Sequence, residues 1–498
     1  MALAPAGPIA TGPLRTAIRG LAERVLDAVS GGEVPRDVVS QAAVGTDAVP
    51  ADPADVALPR AAVLDLARRR PPRTRSGEPL PTGDDLVDVL TRAVLDLDDS
   101  YLAVQGPPGT GKTYTGARVI AALVARGWRV GVVAQSHAVV ENMLRGVAGA
   151  GVPSDAIAKK APGSSDGRSA DPGAPWTWVP DAGFGAFWTA HPGGAPGAGA
   201  VLGGTAWDLV NAKRLPSTPL DLLVVDEAGQ FALANTFAVA GSARNLLLLG
   251  DPQQLPQVSQ GTHPEPVDRS ALGWLTDGHD TLPADLGYFL PVSHRMHPAL
   301  CGAVSTLAYE DRLVSALRAA ARSLDGVPPG VHGVLVDHQG NAVSSTEEAD
   351  VVVRFVRDLV GRTWRDPHAA PAERPLTPED VLVVAAYNAQ VWTVRQALDA
   401  AGFTGTRVGT VDRFQGQEAP VVLVTTAASS PDQVPRGLDF LLDRNRLNVA
   451  VSRGQWAAFV VRSAHLTRTL PRRPESLERL GAFVGLTTRS VVEPPAGP

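Results

Sequence analysis

A chain of 498 residues with 44% hydrophobic and 19% charged side chains and a mean hydropathy of +0.02 is long enough for more than one core, and is neither a disordered polar chain nor a membrane protein. Forty-five basic residues against fifty-one acidic ones leave a formal net charge of −6, so any nucleic-acid surface has to be local. Cys301 is the only cysteine, which excludes an internal disulfide framework and a cysteine-rich zinc site.

The opening MALAPAGPIATGPL has no basic leader and is broken by Pro5, Gly7, Pro8, Gly12 and Pro13, so a cytoplasmic protein is expected. Residues 1–83 read as an N-terminal extension, disordered in part. It carries an amphipathic helix near Ile18 to Val29 and an arginine cluster at Arg68, Arg69, Arg70, Arg73 and Arg75. Such a cluster either touches phosphate or is a solvated linker, and composition does not choose between them.

From Asp84 the pattern is that of an α/β domain. DDLVDVLTRAVLDL (84–97) has helical spacing, and YLAVQ (101–105) is a short apolar strand that runs into glycine. VGVVA (130–134), VLGG (201–204), LDLLVV (220–225) and LLLL (246–249) follow as strands, with helical stretches at 114–126 and 137–147. Continuous apolar strands predict parallel sheets covered on both faces. Gly149 to Ala200, dense in Gly, Ala, Pro and Trp, reads as an insertion or partly disordered loop. A second α/β series begins after Pro291, with a helix at 350–360, strands at 381–386 and 421–426, and RLNVAVSR (446–453) leading into another helix. The expected organisation is a domain over 84–290, a second over 291–470, and a tail over 471–498 with one more short helix. No run approaches the roughly 18 apolar residues of a membrane span, so no membrane partner is expected.

The strongest chemical signal is GPPGTGKT (106–113), a glycine-rich turn between a predicted strand and a predicted helix. Backbone N–H groups of Gly106, Pro107 to Gly111 and the helix N-terminus can cradle phosphates, except at the two prolines. Lys112, one of only four lysines, would reach the β and γ phosphates and Thr113 would hold Mg²⁺. In LLVVDEAGQ (222–230), Asp226 could bind Mg²⁺ and Glu227 could orient and deprotonate an attacking water, which favours hydrolysis over transfer. Gly106, Gln135, Thr205, Asp226 and Gly250 all come at the ends of apolar strands, and in an open parallel sheet those ends line one ligand crevice.

GPPGTGKT (106–113), DEAGQ (226–230), GDPQQLP (250–256), RMHP (295–298), TVDRFQGQE (410–418) and RLNVAVSR (446–453), in this order, resemble the motifs of superfamily 1 helicases, specifically the B branch. The resemblance spans about Asp84 to Arg462 and is greatest to the helicase half of bacterial proteins that fuse a RecB-like nuclease to such a motor. It implies two tandem RecA-like P-loop NTPase domains with parallel sheets, hydrolysing ATP with Mg²⁺ between them. Residue by residue, it implies that Gln254 senses the γ-phosphate and that Arg295 and Arg453 act as arginine fingers. Gly416 and Glu418 match a position near the ribose. Three positions depart from the pattern. The segment 84–97 has no glutamine to read adenine, His294 replaces a tyrosine able to lie against the base, and Gln455 replaces a second arginine, a change expected to be tolerated.

Translocation needs grip on a sugar-phosphate track rather than base reading. The candidates are Ser136, His137, Thr205, Pro256, Tyr387, Gln390 and Thr410. The reading is an ATP-dependent translocase that moves 5′ to 3′ on single-stranded DNA or RNA, with DNA favoured and a nuclease partner or fused nuclease domain implied by the resemblance. The alternative is an ATP-gated nucleic-acid-binding or remodelling module of a larger nuclease complex, without unwinding of its own.

Overall fold

The computed structural model describes residues 11–30, 61–163, 169–257, 263–414 and 416–496. The chain forms two compact units. One comprises Met1–Gln105, Lys112–Gly250 and Gln257–Tyr288, the other Gly106–Gly111, Asp251–Pro256 and Phe289–Pro498. The glycine-rich turn and the segment 251–256 therefore pack as parts of the second unit.

The first unit is built on strands β1 (Tyr101–Gln105), β2 (Arg129–Val133), β3 (Ile157–Lys160), β4 (Thr177–Val179), β5 (Ala200–Gly204), β6 (Leu220–Val225) and β7 (Ala243–Gly250), in the order β4-β3-β5-β2-β6-β7-β1. These pairs are all parallel. A further strand, β8 (Gly287–Phe289), follows β1 in that order. β1 is buried at every residue and β7 from Asn245 onward, as helices on both faces require of continuous Leu and Val runs. In the N-terminal region, α1 (Gly12–Ser30) and α2 (Ala62–Ala67) place Leu14, Leu21, Val63 and Leu66 in this core. Asp85 caps α3 (Leu86–Leu95) by accepting from the Val87 and Asp88 N–H groups. α4 (Lys112–Ala125) and α5 (His137–Gly149) follow β1 and β2.

Two expectations change here. Residues 1–10 and 31–60 of the extension lie outside the described residues, but much of the rest is an integral layer of the first unit. Within the arginine cluster, Arg73 pairs with Asp65 at 2.6 Å, and Arg69 lies 3.7 Å over the Trp274 ring and bonds Asp277 at 2.6 Å. These two guanidiniums clasp the unit instead of awaiting phosphate. The Gly/Pro/Trp-rich stretch is likewise no simple loop: β3 and β4 extend the sheet beyond β5, and α6 (Phe184–Ala190) buries Phe184, Phe187 and Trp188 in the core.

The second unit has a five-stranded, wholly parallel sheet of β12 (Gly330–Val336), β15 (Val381–Ala385), β16 (Arg407–Thr410), β17 (Ala419–Thr425) and β18 (Gly454–Ser463), in the order β12-β18-β17-β15-β16. Smaller pairings join β9 (Val292–Ser293) to β10 (Val314–Ser315), and β11 (Ser323–Leu324) to β13 (Thr363–Arg365), which in turn pairs with β14 (Glu373–Pro375). Its helices include α7 (Pro298–Ala308), α8 (Thr346–Leu359), α9 (Asn388–Ala400), α10 (Arg444–Val451) and α11 (Pro474–Thr488). RLNVAV is thus itself helix and leads into the inner strand β18, not into another helix. The supposed tail is α11, whose Leu480, Phe483 and Leu486 belong to the second core. Phe483 is fully buried. Phe483→Ala is expected to cost about 3–5 kcal/mol, read as an earlier urea midpoint, whereas a loss under about 1 kcal/mol would remove α11 from the core.

Candidate functional site

In the first sheet Gly106 follows β1, Gln135 lies just past β2, Thr205 follows β5, Asp226 follows β6 and Gly250 closes β7. Parallel pairing brings these strand ends to one edge. Close approach there is enforced by glycine: a Cβ on Gly250 would sit 2.5 Å from the Gly229 nitrogen and 2.6 Å from that of Ala228.

In the turn 106–111, Gly109 and Gly111 have φ of +78° and +81°, which side chains disfavour. Thr110 donates through its hydroxyl to the Pro107 carbonyl at 2.8 Å. Within the second unit the Ser293 hydroxyl donates to the Pro108 carbonyl and the His294 N–H to the Gly109 carbonyl, each at 2.9 Å. These contacts occupy three of the turn's carbonyl oxygens, while anion binding calls on its N–H groups. Lys112 and Thr113 open α4, where the helix dipole favours an anion.

Asp226 is 3% exposed. Its Oδ1 accepts from the Glu227 N–H at 3.0 Å. Burial, and then the charge of Glu227, push its carboxyl up to about 7, against the pull of the Glu227 N–H and Lys112. Glu227 has φ +53°, a left-handed conformation that costs a non-glycine residue about 1–3 kcal/mol. The turn is fastened around it: the Ala228 N–H donates to Leu249 O and the Gln230 N–H to Glu227 O, both at 2.7 Å. Asp226 and Thr113 are hard oxygen donors, and burial beside a second carboxylate leaves the Asp226 carboxyl a site that a cation would favour. Both features fit Mg²⁺, which takes few protein oxygens and completes its shell with phosphates and water.

In the second unit Gln254, 5% exposed, donates from Nε2 to Asp251 Oδ2 at 3.0 Å. Arg295 bonds Glu418 through Nε at 2.7 Å and the Ser452 carbonyl through Nη1 at 2.9 Å, and its own carbonyl accepts from Arg322. Arg453 is 2% exposed, with Nε donating to Val449 O at 3.0 Å and Nη1 to Gln417 O at 3.4 Å. Gly416, at φ +81°, is exposed next to Gln415, which lies outside the described residues. Gln455 donates to the second oxygen of Glu418 at 2.8 Å, so it has a definite partner that the sequence does not reveal. The His294 Nδ1 is buried without a hydrogen-bond partner, and burial, then the charge of Arg318, lower the ring's pKa below its ordinary value.

The nucleic-acid candidates fare unevenly. Ser136 is exposed and caps α5, accepting from the Val139 N–H at 3.3 Å, while His137 Nδ1 lies 3.3 Å from Lys159 Nζ. Thr205 donates to Asp208 at 2.9 Å in the cap of a short helix, Ala206–Leu209. Pro256 is exposed, and Thr410 is half-buried at the end of β16. Two need correction. Gln390 is fully buried and bonds Ser345 and Thr425, so its amide cannot reach a strand. The Tyr387 hydroxyl is buried without a hydrogen-bond partner and its ring packs on Phe440 at 5.6 Å, so in this structure it is part of the second core's edge. Sequence reasoning also missed Asp251, Tyr309 and Asn448, buried groups that lie beside Gln254.

Two models of the AAA domain match the chain, over residues 89–269 and 275–465. The 3′-5′ exoribonuclease HELZ2 of Homo sapiens is 28% identical over 271 residues, 50% of this chain and 9% of that protein. The DNA replication ATP-dependent helicase/nuclease JHS1 of Arabidopsis thaliana is 24% identical over 407 residues, 75% of this chain and 28% of that protein. A solved arterivirus nonstructural protein 10 helicase with DNA matches 72% of this chain and 60% of that one at 17% identity, with a TM-score of 0.38. With six motifs in order and two tandem α/β units, the chain belongs to the superfamily 1 helicases. It spans less than a third of the length of either curated relative. Among the described residues no helix is long and apolar enough to cross a membrane.

The Arg295–Glu418 pair carries a pH signature. Burial alone would raise the Glu418 carboxyl, but the charge of Arg295 and the hydrogen bonds from Arg295 and Gln455 outweigh it and hold the carboxyl below its usual range. A carboxylate with a depressed native pKa adds stability above its unfolded value and loses it as pH falls through the native one. The excess thermal stability of the wild type over Glu418→Gln is therefore expected to be constant from pH 7 to about 5 and to shrink below about pH 4. With the carboxylate 45% exposed the effect is small. An unchanged difference down to about pH 3 would show that the charge contributes nothing.

Proposed function

We propose that the protein is a cytoplasmic ATP-dependent helicase that hydrolyses ATP with Mg²⁺ and moves 5′ to 3′ on single-stranded nucleic acid, DNA in preference to RNA. The observation that carries this is the loop after β6, where a buried Asp226 precedes a Glu227 held at φ +53°. Left-handed backbone at a carboxylate is a cost that binding or catalysis can account for.

In this reading the turn's N–H groups and Lys112 hold the β and γ phosphates, and Glu227 orients the attacking water and takes its proton. Thr113 and Asp226 would hold Mg²⁺, which neutralises phosphate charge when bound. Arg295 and Arg453 supply permanent charge to the transferring phosphoryl oxygens, and Gln254 responds to the γ-phosphate. Gly416 and Glu418 face the ribose. Ser136, Thr205, Pro256 and Thr410 contact the backbone of the strand without reading bases. The helicase/nuclease description of the Arabidopsis relative supports DNA and a nuclease partner or fused nuclease domain.

The test is steady-state ATP hydrolysis with and without single-stranded DNA or RNA, alongside strand displacement from 5′- and 3′-tailed duplexes. DNA is expected to stimulate turnover, and Glu227→Gln to lower kcat by about 100-fold or more while ATP still binds. Displacement only from 3′ tails would overturn the polarity. Stimulation without displacement would select the other reading, an ATP-gated binding or remodelling module of a nuclease complex.

A further inference from the structure

Tyr309 follows α7 and is fully buried in the second unit. Its hydroxyl donates to Asp251 Oδ2 at 2.7 Å and accepts from Asn448 Nδ2 at 2.7 Å. Asp251, 1% exposed, also accepts from the Gln254 side chain at 3.0 Å and from the Gln253 N–H at 3.1 Å. Asn448 donates a second time, to the Gln253 carbonyl at 2.8 Å. One turn earlier on α10, Asn445 donates to the carbonyls of Pro252 and Gln254 at 3.1 and 2.8 Å. Three successive carbonyls of the segment are thus held by two amide side chains on one face of α10. That helix ends at Val451, two residues before Arg453, whose Nε returns to the Val449 carbonyl at 3.0 Å.

The hydroxyl bonds both the Asp251 carboxylate and the Asn448 amide, and Gln253 bridges the same two residues through its backbone N–H and carbonyl. A role in packing would need only the ring, which already lies 6.2 Å from that of Phe289. A buried hydroxyl that donates to a carboxylate while accepting from an amide is a linked chain, each bond polarising the next. Burial, and then the charge of Asp251, push the phenol far above its ordinary pKa, so it remains a donor at any physiological pH.

We propose that Tyr309 is a positioning residue that joins the Asp251–Gln254 segment to α10, so that a displacement of Gln254 on meeting phosphate is passed to Arg453. This rests on the reading of Gln254 and Arg453 as phosphate-facing groups. The linkage itself is a property of the nucleotide-free protein and is tested there.

The variant is Tyr309→Phe, which keeps the ring and removes both hydrogen bonds. Hydrogen exchange in the nucleotide-free full chain is expected to rise together over 251–256 and 444–453. A rise in neither segment, or in one alone, overturns the linkage whatever the activity turns out to be. In ATP hydrolysis with saturating oligo(dT), kcat is expected to fall about tenfold while the KM for ATP changes less than about twofold. Gln254→Ala combined with Tyr309→Phe is expected to fall no further than Gln254→Ala alone. Additive losses, or equal losses with and without oligo(dT), would reduce Tyr309 to a packing residue. A wild type that lacks ATPase activity would sink the functional reading, while the exchange result still decides the linkage.

Discussion

Parallel pairing of β1, β2, β5, β6 and β7 is the constraint on which the candidate site depends. It gives every one of these strands the same direction, so the loop after each emerges at a single edge. β7 lies between β6 and β1, and its last residue approaches the turn after β6 so closely that only glycine fits. That approach fixes Ala228 against Leu249 and, with it, the left-handed backbone of Glu227. A carboxylate pair that would repel and resist burial on its own is held in place by the sheet beneath it.

The second unit solves a different problem, that of anchoring irregular backbone. The turn 106–111 and the segment 251–256 are short, rich in Gly or Pro, and cannot form helix or ladder bonds of their own. Their carbonyls are met by Ser293, His294, Asn445 and Asn448. Buried polar backbone must be satisfied somewhere, and here the partners come from β9 and its continuation and from one face of α10. The same helix ends at Val451, two residues before Arg453, whose Nε returns to the Val449 carbonyl, so the groups that satisfy the segment and the charge that follows them are joined by a short stretch of chain.

Costs are concentrated at the same places. Asp226 is buried and pushed upward in pKa, Glu227 is strained, and His294 keeps a buried ring nitrogen without a partner. Arg295, by contrast, is neutralised by Glu418, itself bonded by Gln455. Gln455 therefore supports the carboxylate without adding a charge.

The amino-acid sequence by itself determined the phosphate-loop pattern, the acidic pair and the alternation of apolar strands with helices, because each depends on neighbours only a few residues away. It also placed Gln254, Arg295 and Arg453 in motifs whose order identifies the family. The tertiary structure alone decided what packing over long sequence separations decides. It turned the Gly/Pro/Trp-rich stretch into two sheet strands and the tail into a core helix. It drew Arg69 and Arg73 into clasps and buried Gln390 and the Tyr387 hydroxyl. Tyr309 carries no local signal at all: its partners lie 58 and 139 residues away, and only folding brings a phenol, a carboxylate and an amide within hydrogen-bonding distance.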